Sequence, residues 1–230
     1  MTSSLANISS PAFINRIGMG SKKIIHRMVF VRHGETIANQ HMMKQSFDPE
    51  KKFLNTPLST LGVHQAHDVS NYLIDIGFIP DKIIVSRLTR AVNTAKPFIE
   101  KSCIPVLYSE KLVEYNHSND EIITDDKGNW NYKKETREEF IARVSNSFEE
   151  ISKECDTIPK QTLIFTHSQV ISSILTNSVF KITDITNVFF HLANGSITCI
   201  DMDEDYKYHI QCVNYTKHLV EPTGQHSPFV

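Results

Sequence analysis

Short apolar runs alternate with amphipathic stretches along this chain, and that alternation restricts the folds open to it. Residues 24–31, 82–86, 104–108 and 163–166 are brief and rich in Ile, Val and Phe, the pattern of buried strands. Helical repeats lie between them. Leu61, Val69, Leu73 and Ile76 recur at near-helical spacing, with Ser59 placed to cap the start and Gly77 to end it. A second helix starts near Leu88 and is disturbed by Pro97. Thr136 and Glu139 have capping-box spacing ahead of Phe140, Ile141, Val144, Phe148 and Ile151, one apolar stripe. Val170, Ile171, Ile174 and Leu175 mark the helix after the fourth strand, and residues 196–201 and 208–213 read as a closing pair of strands. Strands separated by helices predict a three-layer α/β/α sandwich with a mostly parallel central sheet. Residues 116–134 and 40–55 read as polar loops.

A chain of 230 residues can bury a full core without disulfides or metals. Cys103, Cys155, Cys199 and Cys212 form no CxxC pair, and read as small hydrophobes in a reducing compartment. The net charge of −2 lacks the polycationic signature of a nucleic-acid binder. No apolar run approaches the roughly 18 residues that cross a membrane. Residues 1–23 read as a basic, acid-free, disordered extension, residues 24–220 as the folded domain and residues 221–230 as a tail. The expected location is the cytoplasm. The alternative is an organelle, because residues 1–27 are Ser-rich, basic and free of Asp and Glu.

In open α/β sheets ligands bind beyond the carboxyl ends of the strands. Three such ends carry reactive groups: Arg32-His33-Gly34-Glu35-Thr36, Ser86-Arg87 with Arg90 one turn on, and Thr166-His167-Ser168. A single histidine at a strand end is ordinarily a partly buried polar side chain, and a single arginine a surface one. Convergence changes that reading. Two arginines and two imidazoles around one point form an anion pocket, since the guanidinium fork matches two phosphate oxygens. Helix starts after Gly34 and Ser168 would add backbone donors, and an imidazole can attack phosphorus. Other groupings carry less. His64 and His67 lie three apart on a helix with no third ligand evident, so no metal site is expected. Gly18-Met19-Gly20 is misplaced for a dinucleotide loop, and Lys22-Lys23 is too small a cluster for nucleic acid. Lys44, Lys51, Lys52 and His117 read as solvated loop charges.

Arg32-His33-Gly34-Glu35-Thr36 with Asn39 resembles the signature of the histidine phosphatase superfamily, in its phosphoglycerate-mutase-like branch. Further segments resemble that family in order: Pro57-Leu58-Ser59 with Gly62 and Gln65-Ala66, Ser86 to Ala91 with Thr94-Ala95, and Leu112-Val113-Glu114. Glu135-Thr136 with Arg143-Val144, Phe165-Thr166-His167, and Asn194-Gly195-Ser196 with Asn214 and His218-Leu219 complete the series. Six ordered motifs beyond the first, over most of the chain, are a specific signal.

The resemblance implies a metal-independent phosphomonoesterase without cofactor. His33 would be the nucleophile, and Arg32, Arg90 and His167 would bind the phosphoryl oxygens. Glu114 would protonate the leaving oxygen and then accept a proton from water. Gly34, Thr36, Asn39 and Ser168 would contact phosphate or substrate. The family usually has a glycine shortly after the acid, where Asn116, His117 and Ser118 stand here. Glu35 is a competing carboxylate that would face away. A glycine usually follows the second histidine, where this chain has Ser168. Alternatives are a phosphoglycerate-type mutase and a catalytically weak scaffold. The family's mutases carry a long insertion between the acid and the second histidine, and Glu114 and His167 lie close for that. A scaffold would show residues 116–134 folded over His33. The implied partner is a phosphorylated metabolite or phosphoprotein substrate, with no nucleic acid and no membrane. The oligomeric state is unreadable from the sequence.

Overall fold

In chain order, the computed structural model of the protein contains β1 (Ile24–Arg32), α1 (Ile37–Met43), α2 (Thr60–Asp75), β2 (Lys82–Ser86), α3 (Thr89–Ile99) and β3 (Val106–Ser109). The hairpin β4 (Glu121–Asp125) and β5 (Gly128–Tyr132) follows, then α4 (Arg137–Lys153), β6 (Lys160–Thr166), α5 (Ser168–Ser173), β7 (Ile197–Asp203) and β8 (Tyr208–Tyr215). The structure describes residues 22–43, 55–126, 128–154, 160–182 and 188–222.

Six strands form one sheet in the order β3-β2-β6-β1-β7-β8. The strands β3, β2, β6 and β1 run parallel, while β7 is antiparallel to both β1 and β8. The pleat sends alternate residues to opposite faces. Val29 and Val31 face one side with Ile83, Val85, Leu163 and Phe165, covered by Val69 and Leu73 of α2 and Ala91, Ala95 and Phe98 of α3. Met28, Phe30, Ile84 and Ile164 face the other, beneath Val144 and Phe148 of α4 and Val170 and Ile171 of α5. Each of the fully buried Val, Leu, Ile, Phe and Met side chains contributes about 1.5–3 kcal/mol. The three layers predicted from alternation are therefore present.

Local signals act where the sequence puts them. Ser59 Oγ accepts the Gly62 amide at 3.0 Å and opens α2. Gly77 ends it with φ +67°, and the Phe78 amide closes back on the Leu73 carbonyl at 2.9 Å. At α4 the Thr136–Glu139 capping box is formed in both directions.

Four expectations need correction. Residues 116–134 are not a continuous loop but hold β4 and β5. Ile123, Trp130 and Tyr132 are buried against Leu88 and Val113, which supplies the apolar face that a hairpin needs. Helix α1 occupies the start of the stretch read as a loop from Gln40. Strand β3 starts at Val106, after Pro105, which has no N–H to give the ladder. Finally, α3 runs through Pro97 to Ile99, because proline's fixed φ near about −65° is itself helical and only its one bond to the preceding turn is lost. Lys44, Lys51, Lys52, Cys155, the Gly18 to Gly20 motif and most of both ends lie outside the described residues. Among the described residues no helix is long and apolar enough to cross a membrane.

Candidate active site

The strands whose ends carry the reactive groups are neighbours, β2-β6-β1. Arg32 sits opposite Thr166 in the β1–β6 register. The ladder continues one residue further, the His33 amide donating to the Thr166 carbonyl at 3.0 Å. That extension brings His33 and His167 together, with ring centroids 5.2 Å apart and planes at 57°.

His33 is 5% exposed. Its Nδ1 is 2.7 Å from the Gly34 carbonyl oxygen. A carbonyl only accepts, so the neutral ring carries its proton on Nδ1 and leaves the Nε2 lone pair free. Burial, then Arg90 and Arg32, hold its pKa well below the usual histidine value. His33 is thus a neutral imidazole with a lone pair on one defined nitrogen. Its carbonyl is fixed as well, accepting from the Gly195 amide at 3.1 Å and the Asn194 side chain at 3.2 Å.

His167 is fully buried. Its Nε2 lies 2.7 Å from Ser86 Oγ, at the end of β2. The Leu88 amide donates to that oxygen at 3.4 Å, so the serine proton is available for Nε2. Nδ1–H is then the remaining donor of His167, and this atom is buried without a protein partner. Burial, then Arg90, lower the pKa of this ring also.

Both predicted arginines reach the cluster. Arg32 donates to the Leu192 carbonyl, while its Nε is buried and unpartnered. Burial pulls its pKa down to about 10, with Glu114 opposing and Arg90 adding to the shift. Arg90 is 8% exposed and its pKa is lowered by burial, with Tyr132 and Glu114 opposing. Glu114 follows a 3-10 turn (Glu110–Leu112). One of its oxygens accepts the Tyr115 amide at 3.1 Å and the other the Gln169 amide at 3.4 Å. Burial raises its pKa, against the pull of Arg90. The asparagine standing near the family's usual glycine has a structural task. Buried Asn116 donates to the Asn119 and Tyr132 carbonyls at 2.9 and 3.0 Å and pins the segment after Glu114.

The secondary candidates divide. Gly34 is required for space, because a Cβ there would lie 2.5 Å from the Gly62 carbonyl oxygen. Its amide is engaged by Thr94 Oγ1 at 2.9 Å. Thr36 and Asn39 bond each other reciprocally at 3.1 Å and cap α1. Ser168 is the half-buried first residue of α5. Glu35 is buried away from the cluster, accepting from Ser59 Oγ at 2.7 Å and Gln40 at 2.9 Å. Arg87 turns outward and grips Asp125 and Glu110. His64 and His67 are exposed on α2, and no three metal-binding side chains converge among the described residues.

Two contributors escape the sequence reading. Ser86, at a strand end and in a family-like segment, has no role in the sequence reading, yet it orients His167. Tyr132 lay in the supposed loop. The alternation Trp130-Asn131-Tyr132 was the signal that could have found it.

The arrangement is a desolvated cluster of two guanidiniums, two neutral imidazoles and one carboxyl whose pKa burial raises. Unsatisfied N–H donors in such a place call for an anion. The family model described as histidine phosphatase superfamily (branch 1) matches residues 28–216. Among solved structures the chain is similar to YhfR of Bacillus stearothermophilus, at 18% identity and TM-score 0.63, covering 84% of this chain and 99% of that one. It is similar to a mycobacterial glucosyl-3-phosphoglycerate phosphatase, at 20% identity and TM-score 0.59, covering 83% and 99%. A phosphoserine phosphatase of Entamoeba histolytica, solved with 3-phosphoglyceric acid, matches at 17% identity and TM-score 0.60, covering 85% and 100%. At these identities the likeness establishes the fold. Among curated proteins no significant match is found. Fold, ordered motifs and family match agree, and the chain belongs to branch 1 of the histidine phosphatase superfamily.

Proposed function

We propose that this chain is a metal-independent phosphomonoesterase working through a phosphohistidine on His33. The observation that carries the reading is the pair of buried, unpartnered donors, Arg32 Nε and His167 Nδ1, beside an imidazole whose tautomer leaves Nε2 free. A phosphoryl group in that pocket would meet donors on its oxygens and a lone pair on its phosphorus.

The His33 Nε2 lone pair forms the N–P bond while the P–O bond to the leaving group breaks, and Glu114 gives its proton to the leaving oxygen. Water then attacks phosphorus, Glu114 takes back a proton, and the N–P bond breaks to release inorganic phosphate. Arg32, Arg90 and His167 hold the charge that develops on the equatorial oxygens. Gly34, Thr36, Asn39 and Ser168 shape the rim. The substrate is a phosphorylated metabolite or a phosphoprotein. Support for hydrolysis over intramolecular transfer comes from the short span between Glu114 and His167, much of it occupied by β4, β5 and α4. Two of the similar structures are also named phosphatases.

The test is phosphate release from a panel of phosphomonoesters, with chelator present, by the wild type and His33→Ala. Chelator-resistant release that falls at least about 10,000-fold in His33→Ala is the expected result. Release that persists in the variant would refute the nucleophile. Acid-labile phosphate on His33 without release to water would instead identify a transferase acting on another hydroxyl.

A further inference from the structure

Glu114 and Arg90 sit on segments that the central sheet does not hold directly, a loop and a helix. One side chain joins them. Tyr132, at the end of β5 and 2% exposed, donates its hydroxyl proton to the Glu114 main-chain carbonyl at 2.7 Å. The Arg90 guanidinium lies close to the same phenol, and each shifts the other's pKa. A guanidinium only donates and a phenol has one proton. With that proton committed to the carbonyl, the oxygen lone pair is what Arg90 meets. Burial raises the Tyr132 pKa, so the proton stays in place.

The hairpin carrying Tyr132 is keyed to both segments. Arg87, at the start of the turn into α3, grips Asp125 through two nitrogens at 3.1 and 2.7 Å. It also lies over the Trp130 ring at 5.0 Å. On the acid side, Asn116 holds the Tyr132 carbonyl at 3.0 Å. Leu88 and Val113, one from each segment, pack against Ile123, Trp130 and Tyr132.

We infer that Tyr132 is a positioning residue: its hydroxyl fixes the Arg90 fork relative to Glu114, so that the phosphoryl oxygens and the leaving oxygen are addressed from one frame. This rests on the reading of Arg90 as a phosphate ligand. Tyr132→Phe keeps the buried ring and removes the hydroxyl that faces Glu114 and Arg90, so it tests the frame without emptying the core.

The experiment measures inorganic phosphate binding by calorimetry, and kcat/KM on p-nitrophenyl phosphate with chelator. It compares wild type, Tyr132→Phe, Arg90→Ala, the double variant and Trp130→Phe. Tyr132→Phe is expected to weaken phosphate binding and kcat/KM by about tenfold, the scale of one hydrogen bond to a charged group. Its unfolding midpoint should stay within a few degrees of the wild type. In the Arg90→Ala background the same change should alter kcat/KM by less than about twofold, since residues acting through one contact are not additive. Equal losses in both backgrounds would overturn the inference. So would wild-type phosphate binding and turnover in Tyr132→Phe, or an equal loss of affinity in Trp130→Phe, which would mark mere support of the hairpin. These outcomes leave the phosphatase reading standing. A wild type that binds no phosphate would overturn that reading, and this inference with it.

Discussion

Arg27 and Arg32 are the same side chain on the same strand, and their surroundings treat them in opposite ways. Arg27, early in β1, is matched to Asp201 of β7 by two bonds, Nε at 2.7 Å and Nη2 at 2.6 Å. The carboxylate outweighs the burial and raises its pKa. Arg32, at the carboxyl end, has one main-chain acceptor and an unpartnered Nε, and burial depresses its pKa to about 10. Charge at the first end is compensated within the fold. At the second end it is left partly uncompensated, as the proposed phosphate site requires.

The sharpest way to break this comparison is to truncate each arginine. Arg27→Ala leaves Asp201 buried without its main partner and should cost about 3–5 kcal/mol, read by urea unfolding. Arg32→Ala should leave stability within about 1 kcal/mol and lower kcat/KM on phosphomonoesters by about 100- to 1,000-fold. If both variants unfold equally easily, the two ends do not differ as described.

A second test uses the opposed pKa shifts of the site. In the proposed mechanism His33 attacks as the neutral ring, so activity should be lost as pH falls through its depressed pKa. Glu114 is its proposed acid, so activity should be lost as pH rises through its raised pKa. The kcat/KM profile should be a bell with an acidic optimum. Glu114→Gln should remove the alkaline limb and slow alkyl phosphates about 100-fold. It should slow p-nitrophenyl phosphate far less, because that leaving group departs without a proton. An unchanged alkaline limb would assign it to another group. The smallest expected effect is at the rim. Ser168→Gly restores the family's usual residue and should change kcat/KM by less than about threefold, since the serine backbone still offers its amide.

The sheet-borne half of the site was legible because strand periodicity locates strand ends, and His33, Arg32 and His167 stand there. Arg90 was legible one turn past such an end. Glu114 was harder, since it follows a 3-10 turn, and its place came from the motif rather than from periodicity. The hairpin was not legible from composition. Its buried positions, Ile123, Trp130 and Tyr132, are interleaved with Asp, Asn and Lys. A polar count hides a two-residue alternation that was present. Tyr132 meets Arg90 and Glu114 only after three distant segments fold together, and no local pattern encodes that.

The contact between Gly34 and Gly62 has a consequence for how the enzyme would age under mutation. A Cβ on Gly62 would fall 1.9 Å from the Glu35 carbonyl oxygen, and one on Gly34 would strike Gly62 in turn. The loop after β1 and helix α2 therefore meet backbone to backbone at these two glycines, and Ser59 and Gln65 of the helix start bond Glu35 beside them. A slip of α2, as from a change at Val69 or Leu73 on its buried face, would be passed to the segment that carries His33. Turnover would then register wear in the core well before the unfolding temperature does, which makes activity a strain gauge for the whole scaffold.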